Sequence, residues 1–520
     1  MTGDCRISQM AEEFHQWAQP HRHMARLSER LIKGSFLRVL YPFLNVIVSL
    51  FMMPFVIRCI GSRYYGLWIL GATFVGYYEL LDLGLATANE RFISQAIGKN
   101  DHDEVKTIFN TCIGLYLILC IVTLCISAGL ALATPYFVKN AADVRVFRII
   151  ILMIGSTMAF SLPASAFIGF LRAHILFDVI NGFEIAKTAI RTGLILWLLG
   201  RGHGLITLAV ISLGMEVVVM ASQIAYVRIR FRELSVNFSW FRRNRIRTLF
   251  NYSLYSFIAK IAEAFQYQLD AFVITAFIGL AAVTHYNVGA RLARYYLLFI
   301  SSAIFLIMPV FSRYDGLKAY DEMREKFTFI TKLNIILSLF VGGGLLIFGK
   351  AFIGRWMGAE YLDGFPVLAI LTVGLIFSTM QITSKALLFS LFKHKAYSLT
   401  LLAEGICNLI LSVILVRKHG IFGVALGTTI PMLVTNILVV PFYTYRVLEL
   451  PLWKHLRIVL RTFLIGSAIM LGIWFAARQF LIYSYVRVLL LVAASAVVFF
   501  SISLFTILSK RERQYFRVPL

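Results

Sequence analysis

Runs of about 20 apolar residues recur along the whole chain, and they constrain its fold more than any other feature. A run of that length crosses the hydrocarbon core of a bilayer as one α-helix. Charged residues make up only 15% of the 520 residues, whereas soluble domains carry about 25%. The sequence therefore predicts an all-α polytopic membrane protein.

We count about fourteen such segments, with boundaries uncertain by a few residues. Their approximate spans are 36–60, 65–88, 107–133, 147–171, 179–200, 204–227, 248–278, 285–311, 329–353, 365–392, 396–416, 421–445, 456–478 and 484–508. The loops between them are short, so the function must reside within the membrane or at its faces.

Lys and Arg concentrate on one side of the predicted membrane. With residues 1–35 placed in the cytoplasm, the cytoplasmic segments hold roughly 29 Lys and Arg and the opposite loops roughly 7. The positive-inside rule then puts both termini in the cytoplasm. The net charge of +24 is therefore better explained by topology and anionic lipid than by nucleic acid.

The first and second parts of the chain resemble each other. Ile60-Gly61 and Ile278-Gly279 lie 218 residues apart, and each pair ends a predicted helix. His203-Gly204 and His419-Gly420 lie 216 residues apart, and each pair opens one. Such repeats are typical of transporters, which hold substrate where the two halves face each other.

The repeat predicts the domain organisation. We expect a cytoplasmic tail (1–35), an N-lobe of six helices (36–227), a basic cytoplasmic linker (228–247), a C-lobe of six helices (248–445), two further helices (446–508) and a C-terminal cytoplasmic tail (509–520).

Ionisable residues inside the apolar segments are the candidate functional residues, because a lipid-exposed charge at the bilayer centre costs about 2.5–3.5 kcal/mol. They must face a cavity or one another. The basic candidates for a substrate-binding cationic cavity are Lys187, Arg191, Lys260, Arg291, Arg294 and Lys385. The acidic candidates for coupling or gating are Glu79, Asp82, Glu216, Glu263 and Asp270.

The basic candidates differ in how readily another explanation accounts for them. Arg291 and Lys385 lie near helix ends and could instead extend to the membrane surface. Lys187, Arg191 and Arg294 lie deeper and outnumber the acids near them in sequence, which favours a polar cavity. Guanidinium and ammonium groups suit phosphate and other anions, and arginine adds a planar two-pronged donor.

Two pairs could be structural ion pairs, because their members lie three residues apart on one helix face: Lys260 with Glu263, and Glu184 with Lys187. For Asp82, a gating contact and a site for a coupling cation are both open. The sequence contains no Walker A loop, no GxSxG and no HExxH motif. We therefore expect no enzymatic activity, no metal site and no cofactor, apart from a possible coupling proton or sodium ion.

The second predicted helix carries a family resemblance. Its residues Tyr65-Gly66-Leu67-Trp68, Leu80-Leu81-Asp82-Leu83-Gly84-Leu85, Ala88 and Arg91-Phe92-Ile93-Ser94 resemble those of polysaccharide flippases. These are the O-antigen-type exporters of the MOP superfamily, which also contains MATE antiporters and lipid II flippases. The resemblance covers roughly residues 35–508. Outside this helix it lies in the pattern of apolar segments more than in identical residues.

The resemblance implies two six-helix lobes with two additional C-terminal helices, and a central cationic cavity. It implies a polyprenyl-pyrophosphate-linked oligosaccharide as substrate and alternating access as mechanism, in the inner membrane of a bacterium. A polysaccharide polymerase and co-assembly proteins are the implied partners. The alternatives are a MATE-like cation-coupled multidrug antiporter, which would want acids without competing arginines, and a membrane-embedded glycosyltransferase or ligase, which would need a substantial outer loop.

Overall fold

The computed structural model is helical, with no β-strand among the described residues. It describes residues 4–138, 140–232, 234–250, 257, 261, 269–302, 304–391, 393, 395–479 and 484–514. Side chains are described from Tyr41 onward, except those at 137, 238, 304–306, 309, 395 and 454. About half of the predicted helix 248–278 therefore lies outside the described residues.

The helices of the first part of the chain are α1 to α6. Their bounds are α1 Asp4–Tyr78, α2 Leu85–Gly98, α3 His102–Phe137, α4 Ala141–Ala173, α5 Phe177–Gly200 and α6 Leu205–Arg230. α1 contains a break at Gly61, where φ is 81°, so it comprises two arms. This is where the sequence predicts the turn between the first two helices.

The helices of the second part are α7 to α17. Their bounds are α7 Asp270–Phe277, α8 Leu280–Ser301, α9 Ile304–Gly316, α10 Tyr320–Trp356, α11 Gly364–Met380, α12 Ile382–Ser390, α13 Lys395–Val434, α14 Val440–Leu448, α15 Leu452–Ala477, α16 Tyr485–Thr506 and α17 Lys510–Gln514. α13 breaks at Gly420, where φ is 58°, again at a predicted turn.

The described helices agree with a count of about fourteen membrane spans. Eight of them are long and apolar enough to cross a membrane, or nine if α11 and α12, which are bent by 41°, form one span. Two of these stretches, Tyr41–Asp82 with 42 residues and Ala396–Leu448 with 53, are each broken in the middle. At 1.5 Å per residue each is long enough for two spans, and α5 and α8 add two more helices.

The second predicted helix, over 65–88, is not continuous, and the sequence-based boundary is wrong. α1 ends at Tyr78, and a short 3-10 turn, Glu79–Asp82, follows it. Leu83 and Gly84 then adopt left-handed φ values of 51° and 76°, after which α2 begins. Glycine is the residue that enters this region without steric strain, and two successive left-handed residues end any right-handed helix.

Contacts divide the chain into two compact units. The first unit comprises Met1–Ile60 and Phe74–Ile258, and the second comprises Gly61–Thr73 and Ala259–Leu520. In the first unit, α3 packs most extensively on α4, and α4 also packs on α6 and α2. Its core is an aromatic cluster in which Phe109 lies 5.2 Å from Phe167 and 5.6 Å from Phe170, between ring centroids.

The basic segment 228–247 packs against the first unit. The Asn110 amide donates to the Ser235 carbonyl at 3.2 Å, and Arg245 lies 2.9 Å from Glu104. Seven arginines in this segment are exposed: Arg228, Arg230, Arg232, Arg242, Arg243, Arg245 and Arg247. A dense basic surface therefore lies beside α3, where the sequence predicts a cytoplasmic linker.

In the second unit, α11 is the central helix, packing on α8, α10 and α13. The short segment Gly61–Thr73 joins this unit through close backbone contact. Thr284 donates to the Ser62 carbonyl at 2.6 Å, and a Cβ at Gly66 would collide with the Leu280 carbonyl oxygen. The glycine of the Tyr-Gly-Leu-Trp motif therefore permits the close approach of α1 and α8.

Candidate functional site

The predicted charged residues fall into one set in each compact unit, and each set is described separately. Lys260 and Glu263 lie outside the described residues, so their predicted roles stay predictions. In the first unit the set comprises Glu79, Asp82, Lys187, Arg191 and Glu216. In the second unit it comprises Asp270, Arg291, Arg294 and Lys385.

Lys187 lies between two carboxylates in the first unit. Its Nζ is 2.8 Å from Glu184 Oε2, on the same helix α5, and 3.6 Å from Glu216 Oε2, on α6. The Tyr41 hydroxyl of α1 donates to Glu184 Oε2 at 3.1 Å. The side chains of all three charged residues are about four-fifths buried, with 21%, 21% and 19% exposure. We call these three charged residues with Tyr41 the Lys187 cluster.

The expectation that cations outnumber nearby acids is wrong for Lys187. One ammonium group faces two carboxylates, so the Lys187 cluster carries a net negative charge when all three groups are ionised. The neighbouring cation, Arg191, lies one turn further along α5 and is exposed. A charge leaving water is stabilised by a close partner, so this geometry is the one expected of a structural counter-ion.

Glu79 and Asp82 have different environments, although they belong to the same 3-10 turn. Glu79 is exposed, whereas Asp82 is 7% exposed. The Tyr116 hydroxyl, fully buried on α3, donates to Asp82 Oδ1 at 2.8 Å. The break in the helix thus directs the Asp82 carboxylate into the core of the first unit and leaves the Glu79 carboxylate at its surface.

Arg291 on α8 is half-buried, and in the described structure its partners are uncharged. Its Nε donates to the Tyr295 hydroxyl at 2.9 Å, and its Nη1 lies 3.5 Å from the Tyr65 hydroxyl. These contacts hold the guanidinium against the two tyrosines, and its extension to a membrane surface stays a prediction. A guanidinium surrounded by phenols keeps its positive charge and has further N–H donors, which suits an anionic ligand.

Asp270 forms a second carboxylate–tyrosine pair. The Tyr286 hydroxyl donates to Asp270 Oδ2 at 2.6 Å, and the Thr428 hydroxyl lies 3.4 Å from Oδ1. Thr428 also lies 3.1 Å from Asn408 Oδ1, so α7, α8 and both arms of α13 contribute to one oxygen-rich group. The charge of Arg294, which is exposed on α8, acts on Asp270.

Lys385 is held at the break between α11 and α12. Its Nζ donates to the carbonyl and the hydroxyl of Ser378, both at 3.0 Å, and lies 5.9 Å from the centroid of the Tyr397 ring. Both Ser378 contacts direct the ammonium group toward α11, and extension of Lys385 to the membrane surface stays a prediction. The lysine is a second donor to the Ser378 carbonyl near the end of α11, which also accepts from the Gln381 backbone N–H at 3.3 Å.

Several contact residues were not among the sequence-based candidates. They are Tyr41, Tyr65, Tyr116, Tyr286, Asn408 and Thr428. A signal for the last two exists in the sequence, since Asn408, Ser412, Thr428 and Thr429 are polar residues inside apolar runs. The tyrosines have no such signal, because tyrosine is common throughout the chain.

Known proteins resemble this chain along most of its length. The sequence model of the family described as "Polysaccharide biosynthesis protein" matches residues 31–315, more than half of the chain. A Shigella flexneri protein named "Putative O-antigen transporter" is 21% identical over 429 residues, covering 80% of this chain and 98% of that protein. The "Probable low-salt glycan biosynthesis flippase Agl15" of Haloferax volcanii is 26% identical over 192 residues, covering 37% of this chain and 41% of that protein. The chain therefore spans less than half the length of that relative.

Solved structures show the same fold. The lipid II flippase MurJ in an inward closed conformation superposes with a TM-score of 0.70 at 15% identity, covering 90% of this chain and 98% of that chain. An inward-facing MATE multidrug resistance transporter of the MOP superfamily superposes with a TM-score of 0.69 at 16% identity, covering 78% of this chain and 96% of that chain. The all-α, MOP-type multi-pass membrane fold predicted from the sequence is thus confirmed, and the chain belongs to the polysaccharide biosynthesis protein family.

Proposed function

We propose that this protein is a transporter that flips a polyprenyl-pyrophosphate-linked oligosaccharide across the cytoplasmic membrane by alternating access, for the synthesis of a cell-surface polysaccharide. The observation that carries the proposal is Arg291, whose charge faces tyrosine hydroxyls and is available for a pyrophosphate. Family membership and the names of the two glycan-related relatives support the same substrate class. Both termini face the cytoplasm in this proposal, as the Lys and Arg distribution favours.

The transport step of this proposal uses Arg291 and Arg294 as anion-binding groups and needs no bond to be made or broken. Tyr65 and Tyr295 beside Arg291 offer aromatic faces and hydroxyls to the adjoining sugar. A polysaccharide polymerase and co-assembly proteins are the partners that such a substrate requires. A MATE-like multidrug antiporter is the second candidate, because the Lys187 cluster in the first unit carries an excess of acid that would suit a cationic drug.

Depletion of the protein distinguishes the two functions. We expect lipid-linked oligosaccharide to accumulate on the inner leaflet, because the carrier is still made there but no longer crosses. The measurement is extraction of the carrier lipid, with its sidedness read by a membrane-impermeant glycosidase in spheroplasts and inverted vesicles. If depletion leaves the distribution of lipid-linked oligosaccharide between the two leaflets unchanged but abolishes efflux of a cationic dye, the protein is the multidrug antiporter instead.

We also propose that Asp82 and Asp270 serve gating or ion coupling, with a proton or a sodium ion as the coupling ion. Each carboxylate accepts a hydrogen bond from a tyrosine hydroxyl inside its own unit, so a change of proton or cation occupancy would alter that hydrogen bond directly. Asp270 also has Thr428 and Asn408 oxygens nearby, a donor set suited to a hard cation.

Asparagine at either position is expected to slow transport more than it lowers abundance, because the amide preserves shape but removes the charge. The assay is flipping in proteoliposomes with and without imposed proton or sodium gradients, and the exposed Asp363→Asn provides the control. If only abundance falls, both carboxylates are structural. If the gradient response persists in both variants, coupling lies elsewhere.

A further inference from the structure

An apolar groove of about 580 Å³ lies in the second unit, a volume within the ~300–1,000 Å³ range of small-molecule sites. Its walls come from α12, α13, α14 and the start of α15. The lining includes Tyr397, Leu438, Phe442, Tyr443 and Leu456, and none of the described lining residues is charged. None of the candidate transport residues lines it, although Lys385 lies 5.9 Å from the centroid of the Tyr397 ring in its wall.

A π-helical turn shapes one wall of the groove. The turn, Thr435–Val439, follows α13 and leads into α14. It presents Ile437, Leu438 and Val439 with 46%, 62% and 40% exposure. Single π turns inside α-helices occur frequently at functional sites, and here the widened turn projects three adjacent apolar side chains to one opening.

The groove is flanked by basic residues. The Tyr443 hydroxyl, on the groove wall, donates to the Lys393 carbonyl at 3.0 Å. Arg446 follows Phe442 by one turn of α14, and Arg457 follows Leu456 on α15. The side chains of Lys393, Arg446 and Arg457 are all exposed, and they lie in segments that the sequence predicts to be cytoplasmic.

An exposed indole follows Leu452, a residue of the groove wall. Trp453, in the first turn of α15, is 79% exposed. Tryptophan with one wet and one apolar environment is typical of the membrane–water interface. The groove therefore opens where an amphiphile would have its head group at the surface and its chain in the apolar layer.

We propose that this groove binds one acyl chain of an anionic glycerophospholipid of the cytoplasmic leaflet, with Lys393 and Arg446 holding its phosphate. The apolar walls fit a hydrocarbon chain, and the basic rim fits the anionic head group of that leaflet. The lining contains no candidate residue for binding the transported substrate. Bound lipid would brace the π turn against α12 and α15.

The test uses the full-length protein in phosphatidylcholine nanodiscs with increasing phosphatidylglycerol. Native mass spectrometry counts the retained lipid. Brominated acyl chains quench the fluorescence of a nearby tryptophan, so phosphatidylglycerol with such chains should quench the part of the emission that comes from Trp453. The Trp453→Phe variant identifies that part. We expect the double variant Lys393→Gln/Arg446→Gln to bind phosphatidylglycerol about fivefold more weakly per removed charge. The matched control is Arg228→Gln/Arg230→Gln, a pair of exposed arginines in the first unit.

A second variant fills the groove without changing charge. Ala396→Trp should reduce retention of both phosphatidylglycerol and phosphatidylcholine at this site, while circular dichroism and size-exclusion behaviour stay those of the parent protein. An equal loss of phosphatidylglycerol binding in Arg228→Gln/Arg230→Gln would show that the effect is general surface electrostatics, and it would overturn the proposed site. Displacement of phosphatidylglycerol by polyprenyl phosphate, one for one and at lower concentration, would overturn it in favour of an isoprenoid site. Unchanged binding in both groove variants would also overturn it.

Discussion

Replacing Arg291 with glutamine is expected to lower the rate of substrate flipping about 10- to 150-fold, the loss that corresponds to one charge-assisted hydrogen-bonded contact of about 1.5–3 kcal/mol. The abundance of the variant should stay close to that of the parent protein. Both expectations follow from the partners of Arg291, which are the uncharged hydroxyls of Tyr65 and Tyr295. Removing the guanidinium leaves no carboxylate unpaired at this position, and glutamine can still hydrogen-bond a phenol.

The measurement is flipping of a fluorescent polyprenyl-pyrophosphate oligosaccharide by purified protein in proteoliposomes. Arg291→Lys should recover part of the rate, because it restores the charge but not the planar two-pronged donor. Arg417→Gln, at an exposed arginine of the same unit, is the control for general loss of basic charge. A rate in Arg291→Gln equal to that of the control would remove Arg291 from substrate binding and leave the proposed function without its main structural support.

Replacing Lys187 with methionine is expected to act on stability first. The variant leaves Glu184 and Glu216 side by side and about four-fifths buried, without their shared ammonium group. Breaking a buried ion pair from one side costs about 3–5 kcal/mol, and the partial exposure of this cluster lowers the expected loss to about 2–3 kcal/mol. Thermal unfolding in detergent and abundance in the membrane should both fall.

A compensated variant separates this explanation from a direct role in substrate binding. Lys187→Met combined with Glu184→Gln and Glu216→Gln removes all three charges, so it should recover much of the lost stability. If it also recovers flipping, Lys187 is a structural counter-ion. Lys187→Met could instead keep the thermal stability of the parent protein and lose only flipping. Lys187 is then an anion-binding residue, as the sequence predicts, and the structural counter-ion explanation is wrong.

Arg291 and Lys187 have different expected effects although they look alike in the sequence. Both are basic residues inside apolar segments, and both are candidates for the same cationic cavity. Glu184 is visible three residues before Lys187, but Glu216 lies on the next helix, and only the packing of α5 against α6 brings it within 3.6 Å. No comparable acid meets Arg291 among the described residues.

The break after Tyr78 is a similar case. Asp82 and Glu79 are three residues apart, and a continuous helix would place them on one face. The left-handed residues Leu83 and Gly84 end the helix instead, so Asp82 points to Tyr116 while Glu79 stays exposed. The sequence contains the glycine, but glycine is also tolerated within transmembrane helices, so its presence alone does not predict the break.

The sequence by itself determined the helical membrane class, the approximate number of spans, the turns at Gly61 and Gly420, and the family resemblance. These depend on local hydrophobic length and on short motifs, which the chain carries without reference to its neighbours. Only the tertiary structure decided which charges have an oppositely charged partner. It also decided where the second predicted helix breaks, which gives Glu79 and Asp82 different environments. The physical reason is that electrostatic compensation acts over a few ångströms in space, and residues such as Lys187 and Glu216, or Asp82 and Tyr116, become neighbours only when their helices pack.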